Sequence, residues 1–372
     1  MRVKTLVQNV FVLTVLILPI ATLAQTPTPT PRAKPNPEDE VIKVSSRLVM
    51  IPVSVTDPAG QAVTGLTAND FRISEEGKVQ SIESVGSADV VPLEIALLFD
   101  VSASTDPMFR FQQETAAKFL RDVMRPIDRA TIFTIGQTPV LVKGRETAEK
   151  AAETVRNIPT TKGATAFFDT VRAAANYLRM NAPEGTRRVV IVISDGEDNF
   201  SEGVQRAQRN IESKTANSGP DPDMKKFGKI VAQAQQVAKT TERAVVLKAL
   251  QDADVVHYAV NPAGSSYRLN DLSVFGQENM QRFSDETGGT AFLPKFQPID
   301  TKDAYQNGNN MRANSALLDR IFQQIANELR SQYLIQYYSE ADFATGRFVK
   351  LDIGLKNRSD AKLRARQGYY VK

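Results

Sequence analysis

Cysteine is absent from the 372 residues, and histidine occurs once, as His257. The first absence excludes a disulfide framework, a thiolate metal site, a cysteine nucleophile and a lipidated N-terminal cysteine. The second excludes a multi-histidine metal site and any two-histidine mechanism. Charge of one sign is also lacking, with 46 basic residues against 42 acidic ones. That balance gives no electrostatic reason to expect a nucleic-acid partner. The sequence has no Gly-x-Ser-x-Gly elbow, no P-loop and no Gly-x-Gly-x-x-Gly. Its longest apolar run, Val10 to Leu23, is short for a membrane span.

That run follows Arg2 and Lys4 and ends in Ala21-Thr22-Leu23-Ala24. Basic start, apolar middle and small-residue end predict a signal peptide over 1–24, with cleavage near Gln25. The expected location is therefore secreted, periplasmic or cell-envelope, with membrane contact only during export. Residues 25–41 repeat Thr-Pro and continue Lys34-Pro35-Asn36-Pro37, the composition of a polyproline II or disordered linker.

Residues 42–91 read as short strands. Val49, Ile51, Val53 and Val55 alternate with Met50, Pro52, Ser54 and Thr56. Pro52 cannot donate to a ladder, which predicts an edge strand. Phe71–Ile73 and Val79–Val85 predict two further strands. From Leu93 the period changes. Leu93–Phe99 and Val189–Ile193 are apolar throughout, as strands buried on both faces of a parallel sheet are. After the first, Met108, Phe111, Thr115, Phe119 and Val123 follow in helical steps of three and four. Strands are further expected at Ala130–Ile135, Pro139–Val142, Val255–Val260 and Thr290–Leu293, and helices at Glu146–Val155, Ala166–Leu178 and Asn314–Arg330. Residues 200–250, rich in Ala, Gln, Lys and Arg, predict a helical insertion of two solvent-exposed helices. It would be a solvated face or, more sharply, a partner-specific lid. Period two returns over 331–372.

The expected fold is thus α/β. A doubly wound, mostly parallel sheet over 92–330 is inserted in a small β-sandwich built from 42–91 and 331–372.

Strand Leu93–Phe99 ends in Asp100-Val101-Ser102-Ala103-Ser104, and the fourth α/β strand ends in Asp195-Gly196-Glu197-Asp198. Between them, Thr165 sits in a glycine-containing loop before a helix. In the doubly wound order the first and fourth strands are neighbours, so these loops face one crevice at the carboxyl ends of the strands. Oxygen-only ligands suit a hard cation. Glu197 and Asp198 are the acids available as a general base for metal-assisted hydrolysis, while His257 lies inside a strand and reads as a core or sheet-face residue.

The set Asp100, Ser102, Ser104, Thr165 and Asp195 resembles the metal-ion-dependent adhesion site (MIDAS) of von Willebrand factor type A domains. The flanking segments Val63–Phe71 and Arg364–Tyr370 resemble those of the von Willebrand factor A-related family of Acidobacteria. The resemblance implies that Ser102 and Ser104 bind Mg²⁺ directly, with Mn²⁺ or Ca²⁺ as substitutes. It implies that Thr165 joins them when ligand is bound, and that Asp100 and Asp195 act largely through water. The implied partner is a protein offering an Asp or Glu carboxylate. A metal-dependent hydrolase and a structural envelope protein that leaves the metal site unused stand as alternatives.

Overall fold

The computed structural model describes residues 47–102, 108–161, 163–216, 224–262, 271–299, 301–358 and 360–372. The expected signal peptide and linker lie outside them, as does Ser104.

Four strands come first: β1 (Arg47–Thr56), β2 (Phe71–Glu75), β3 (Lys78–Gln80) and β4 (Ile82–Ser87). The α/β part begins with β5 (Leu93–Asp100), α1 (Phe109–Val123), β6 (Arg129–Ile135), β7 (Val140–Glu146), α2 (Ala148–Arg156) and α3 (Phe167–Asn181). It continues with β8 (Arg187–Ile193), α4 (Glu202–Ala216), α5 (Met224–Asp252), β9 (Val255–Val260), α6 (Asp271–Thr287), β10 (Ala291–Phe292) and α7 (Ala304–Ser331). The chain closes with β11 (Tyr333–Ser339), β12 (Phe348–Leu355), β13 (Lys362–Ala365) and β14 (Gly368–Tyr370).

The central sheet has six strands in the order β10-β9-β8-β5-β6-β7, parallel except for the antiparallel edge strand β7. The unbroken apolar run of β5 serves both faces. Ile95, Leu97 and Phe99 pack with α1 and α7 on one side, while Ala96 and Leu98 face α3, α5 and α6 on the other. Each large side chain so buried contributes about 1.5–3 kcal/mol, and this pins β5 in the middle of the sheet.

The two four-stranded sheets, β13-β1-β11-β4 and β14-β12-β2-β3, draw strands from both ends of the chain. Their inner faces share one core, with Val49, Ile51 and Val53 against Phe71, Ile73, Val349 and Leu351. Three details depart from the sequence reading. β1 is an inner strand, although it carries Pro52. Its ladder with β13 begins only at Val53, and the Met50 carbonyl three residues earlier is taken by the Arg366 guanidinium. The missing N–H of Pro52 therefore falls where no ladder bond is required. The expected strand Val79–Val85 divides at Ser81, so that β3 and β4 join different sheets. The helices of the insertion are not merely solvent-exposed, because Val204, Val246 and Leu250 are fully buried.

Candidate functional site

The site forms where β5 and β8 end side by side. Their parallel register sets Phe99 beside Ile193, which brings the next residues, Asp100 and Ser194, together. The Ser194 hydroxyl donates to Asp100 Oδ2 at 2.6 Å. Asp100 Oδ1 accepts from both the backbone N–H of Ser102, at 3.0 Å, and its hydroxyl, at 2.7 Å. This is an Asx turn: the carboxylate folds its own loop back and holds Ser102 beside itself. The Ser194 hydroxyl also accepts the Gly196 N–H at 3.0 Å, and Asp195 Oδ1 accepts the Glu197 N–H at 3.0 Å.

Thr165 belongs to the loop before α3. Its backbone N–H donates to Asn199 Oδ1 at 2.8 Å, and its carbonyl accepts from the N–H groups of Asn199 and Phe200. Ala166 N–H is held by the Gly136 carbonyl at the end of β6. The residue is buried, and its hydroxyl has no hydrogen-bond partner among the described residues. Asp100, which ends β5, and Ser102, Thr165 and Asp195 on loops thus lie at the same end of the sheet. The fifth expected residue, Ser104, lies outside the described residues.

Burial decides the electrostatics. Desolvation pushes the Asp100 carboxyl above the ordinary carboxylate value, against the opposing hydrogen bonds from Ser194 and Ser102. Desolvation likewise pushes Asp195 up to about 6, and the charges of Asp100 and Glu197 add to it. Neither acid forms an ion pair among the described residues. Two partly buried carboxylates without a cation are costly, and an oxygen-only set of this kind fits a hard divalent cation. Among the described residues, no group of three or more acidic or imidazole side chains could hold a metal by itself.

The two acids considered as general bases are placed differently. Asp198 caps α3: Oδ2 accepts the Phe168 N–H at 2.9 Å and the Ser201 hydroxyl, and Oδ1 accepts the Ser201 N–H. Glu197 accepts the Ser273 hydroxyl. His257 is a core residue, fully buried, with Nδ1 on Ser284 Oγ and its ring edge-on to Phe283. Ser194 and Asn199, which brace Asp100 and Thr165, were not singled out from the sequence. The only available signal was a hydroxyl residue directly before the strand-ending Asp195.

Glycine closes the floor of the site. Gly196 has φ of +76° and packs against Gly276 of α6, where an added Cβ would lie 2.8 Å from the Asp195 carbonyl oxygen. Only backbone fits there.

Comparison with known proteins bears on this same stretch. Residues 95–197 match the von Willebrand factor type A domain. The matched span runs from β5 to the loop after β8 and includes Asp100, Ser102, Thr165 and Asp195. No curated protein matches the chain. Among solved structures, proximal thread matrix protein 1 from the mussel byssus is similar at 12% identity and a TM-score of 0.41, covering 69% of this chain and 50% of that one. A structure of the same mussel protein with a zinc-occupied MIDAS motif gives 12% identity, a TM-score of 0.40, and coverage of 68% and 50%. The conserved hypothetical protein BatB from Bacteroides thetaiotaomicron gives 14% identity, a TM-score of 0.35, and coverage of 64% and 100%. The chain thus spans half the length of the mussel structures. At these values the likenesses carry no site or activity over to this chain.

Proposed function

We propose that this type A domain binds a divalent cation, Mg²⁺ or in its place Mn²⁺ or Ca²⁺, and through it a partner protein. Asp100, Ser102, Ser104, Thr165 and Asp195 would hold the cation, and an Asp or Glu side chain of the partner would supply a remaining ligand. The observation that carries this reading is the pair of partly buried carboxylates, Asp100 and Asp195, at neighbouring strand ends with serine hydroxyls and no ion pair among the described residues. The cation supplies positive charge that these two acids lack and a coordination position for an outside oxygen. Neutral hydroxyls leave much of that charge for the partner's carboxylate, which favours binding over turnover. The two neighbouring acids are engaged, Asp198 as a helix cap and Glu197 by Ser273, which leaves hydrolysis without a free general base among the described residues of the site. The protein would act outside the cytoplasm, in the envelope or beyond it, after removal of residues 1–24.

A pull-down from the native envelope tests the reading. The partner should be retained with Mg²⁺ or Mn²⁺, released by EDTA, and lost when one acidic residue on it is changed to its amide. Equal retention in EDTA would place recognition elsewhere.

A further inference from the structure

Beside the Thr165 loop lies a groove of about 590 Å³. Its walls are one face of α3, one face of α4, and the residues after β6. Arg172 and Asn176 come from α3, Gln205 and Arg209 from α4, and Pro139 and Phe200 close it. The groove adjoins the Thr165 loop. The Phe200 N–H donates to the Thr165 carbonyl, and the Gln137 side chain at its rim packs against Gly163 of the Thr165 loop.

Its charges are unevenly matched. Asp169 Oδ1 is paired with Arg172 at 2.8 Å, and its Oδ2 accepts the Glu202 N–H at the start of α4. Arg172 also faces Glu242 at 3.6 Å. Glu202 is paired with Arg206 at 2.6 Å. Arg209 alone is left over: it lines the groove, is exposed, and has no ion-pair or hydrogen-bond partner among the described residues. The base of this wall is firmly set. Asp169 caps α4, Asp198 caps α3, and Gly203 lets the Glu242 side chain come to within van der Waals range of the α4 backbone.

We infer that this groove takes a second acidic side chain of the same partner segment, so that the domain selects protein segments carrying two carboxylates, one for the cation and one for Arg209. The inference rests on the metal reading above. A guanidinium presents a fork of donors matched to a carboxylate. The second N–H of the Gln205 amide, whose other N–H goes to the Asn199 carbonyl, and the amide of Asn176 offer further donors, and Phe200 and Pro139 supply apolar surface for the stem of a Glu or Asp. The helical insertion is then a specificity wall.

The test uses a synthetic array of peptides that carry one Asp, or one Asp and a second acid at varied spacing, probed with the full chain in Mg²⁺ and in EDTA. Two-acid peptides of suitable spacing should bind about tenfold tighter than one-acid peptides, the range of a charge-assisted hydrogen bond. Arg209→Ala should abolish that advantage, Arg209→Glu should invert it, and Arg209→Lys should restore part of it. Each variant should keep the Mg²⁺-dependent binding of one-acid peptides, which reports an intact fold and site. Undiminished preference for two acids in Arg209→Glu would overturn the inference while leaving the metal reading standing. Arg209-dependent capture of acidic peptides that ignores EDTA would support the groove and count against the metal. No binding of any acidic peptide would overturn both.

Discussion

Asp100 organises the site because its two carboxylate oxygens are committed in different directions. Oδ2 takes the Ser194 hydroxyl of the neighbouring strand, and Oδ1 takes Ser102 of its own loop. Removing the Ser102 hydroxyl should weaken both cation and ligand binding, since it is read as a direct ligand. Thr165→Ala should weaken ligand binding with less effect on the cation alone. Titration calorimetry with Mg²⁺, followed by partner binding, separates the two. Within β9, burial holds His257 down at about 3 against an ordinary 6.5. The unfolded imidazole takes up a proton below pH 6.5, and the folded one refuses it until about 3. Stability is therefore full above pH 6.5 and falls as the pH drops toward 3, by up to about 1.4 kcal/mol per pH unit. Asp195 acts in the opposite sense when no cation is present, because its raised value makes the folded state the better proton acceptor between about 6 and 3.8. His257→Leu should flatten the loss of stability between pH 7.5 and pH 5, measured by urea unfolding in EDTA. An unchanged slope would show that another group governs the acid limb.

At the scale of elements, α6 presses its Gly276 against Gly196, so helix and site loop meet backbone to backbone. Gly276→Ala would place a methyl carbon 2.7 Å from the Gly196 carbonyl carbon. Overpacking of this kind costs about 1–3 kcal/mol. The displaced loop should also bind Mg²⁺ less tightly. A variant with the parent's urea midpoint and Mg²⁺ affinity would show that the contact relaxes freely. The elements framing this floor were readable in the sequence for a definite reason. Strands buried on both faces, such as Val255–Val260 and Leu93–Phe99, carry an uninterrupted apolar signal. What was not readable depends on partners distant in sequence. Pro52 reads as an edge marker locally, and only the staggered pairing of β1 with β11 and β13 makes it harmless in an inner strand. Ser81 looks like one more polar position in a strand, yet it separates two sheets. The helix expected from Asn314 begins instead at Ala304, where the Asp303 carboxylate caps it by accepting the N–H groups of Tyr305 and Gln306. In the site, the strand-ending acids were visible as chemistry, whereas Ser194 and Asn199 matter only through register and loop packing.

For the whole molecule, strands from both flanks of the α/β part form one sandwich, and the α/β part is inserted between them in sequence. Strand β11 lies between β1 and β4, and β13 flanks β1 on its other side. The junction is polar and buried. Arg187 Nη1 donates to the Leu329 carbonyl and to Gln332 Oε1, and Gln332 Nε2 donates to Ser54 Oγ. Deleting Ser331–Lys372 should therefore strip β1 of both neighbours and expose Arg47–Ser87 to protease and hydrogen exchange. Unchanged protection of that stretch would contradict the single sandwich. The central claim concerns the other end of the domain, where Asp100 and Asp195 meet. The most direct measurement is titration calorimetry of Mg²⁺ into the parent chain and into Asp100→Ala, with far-ultraviolet circular dichroism to compare their folds. The account predicts a saturable one-to-one isotherm for the parent and none for the variant, with matching spectra. Equal Mg²⁺ affinity in the two proteins, or no binding by the parent, would contradict it.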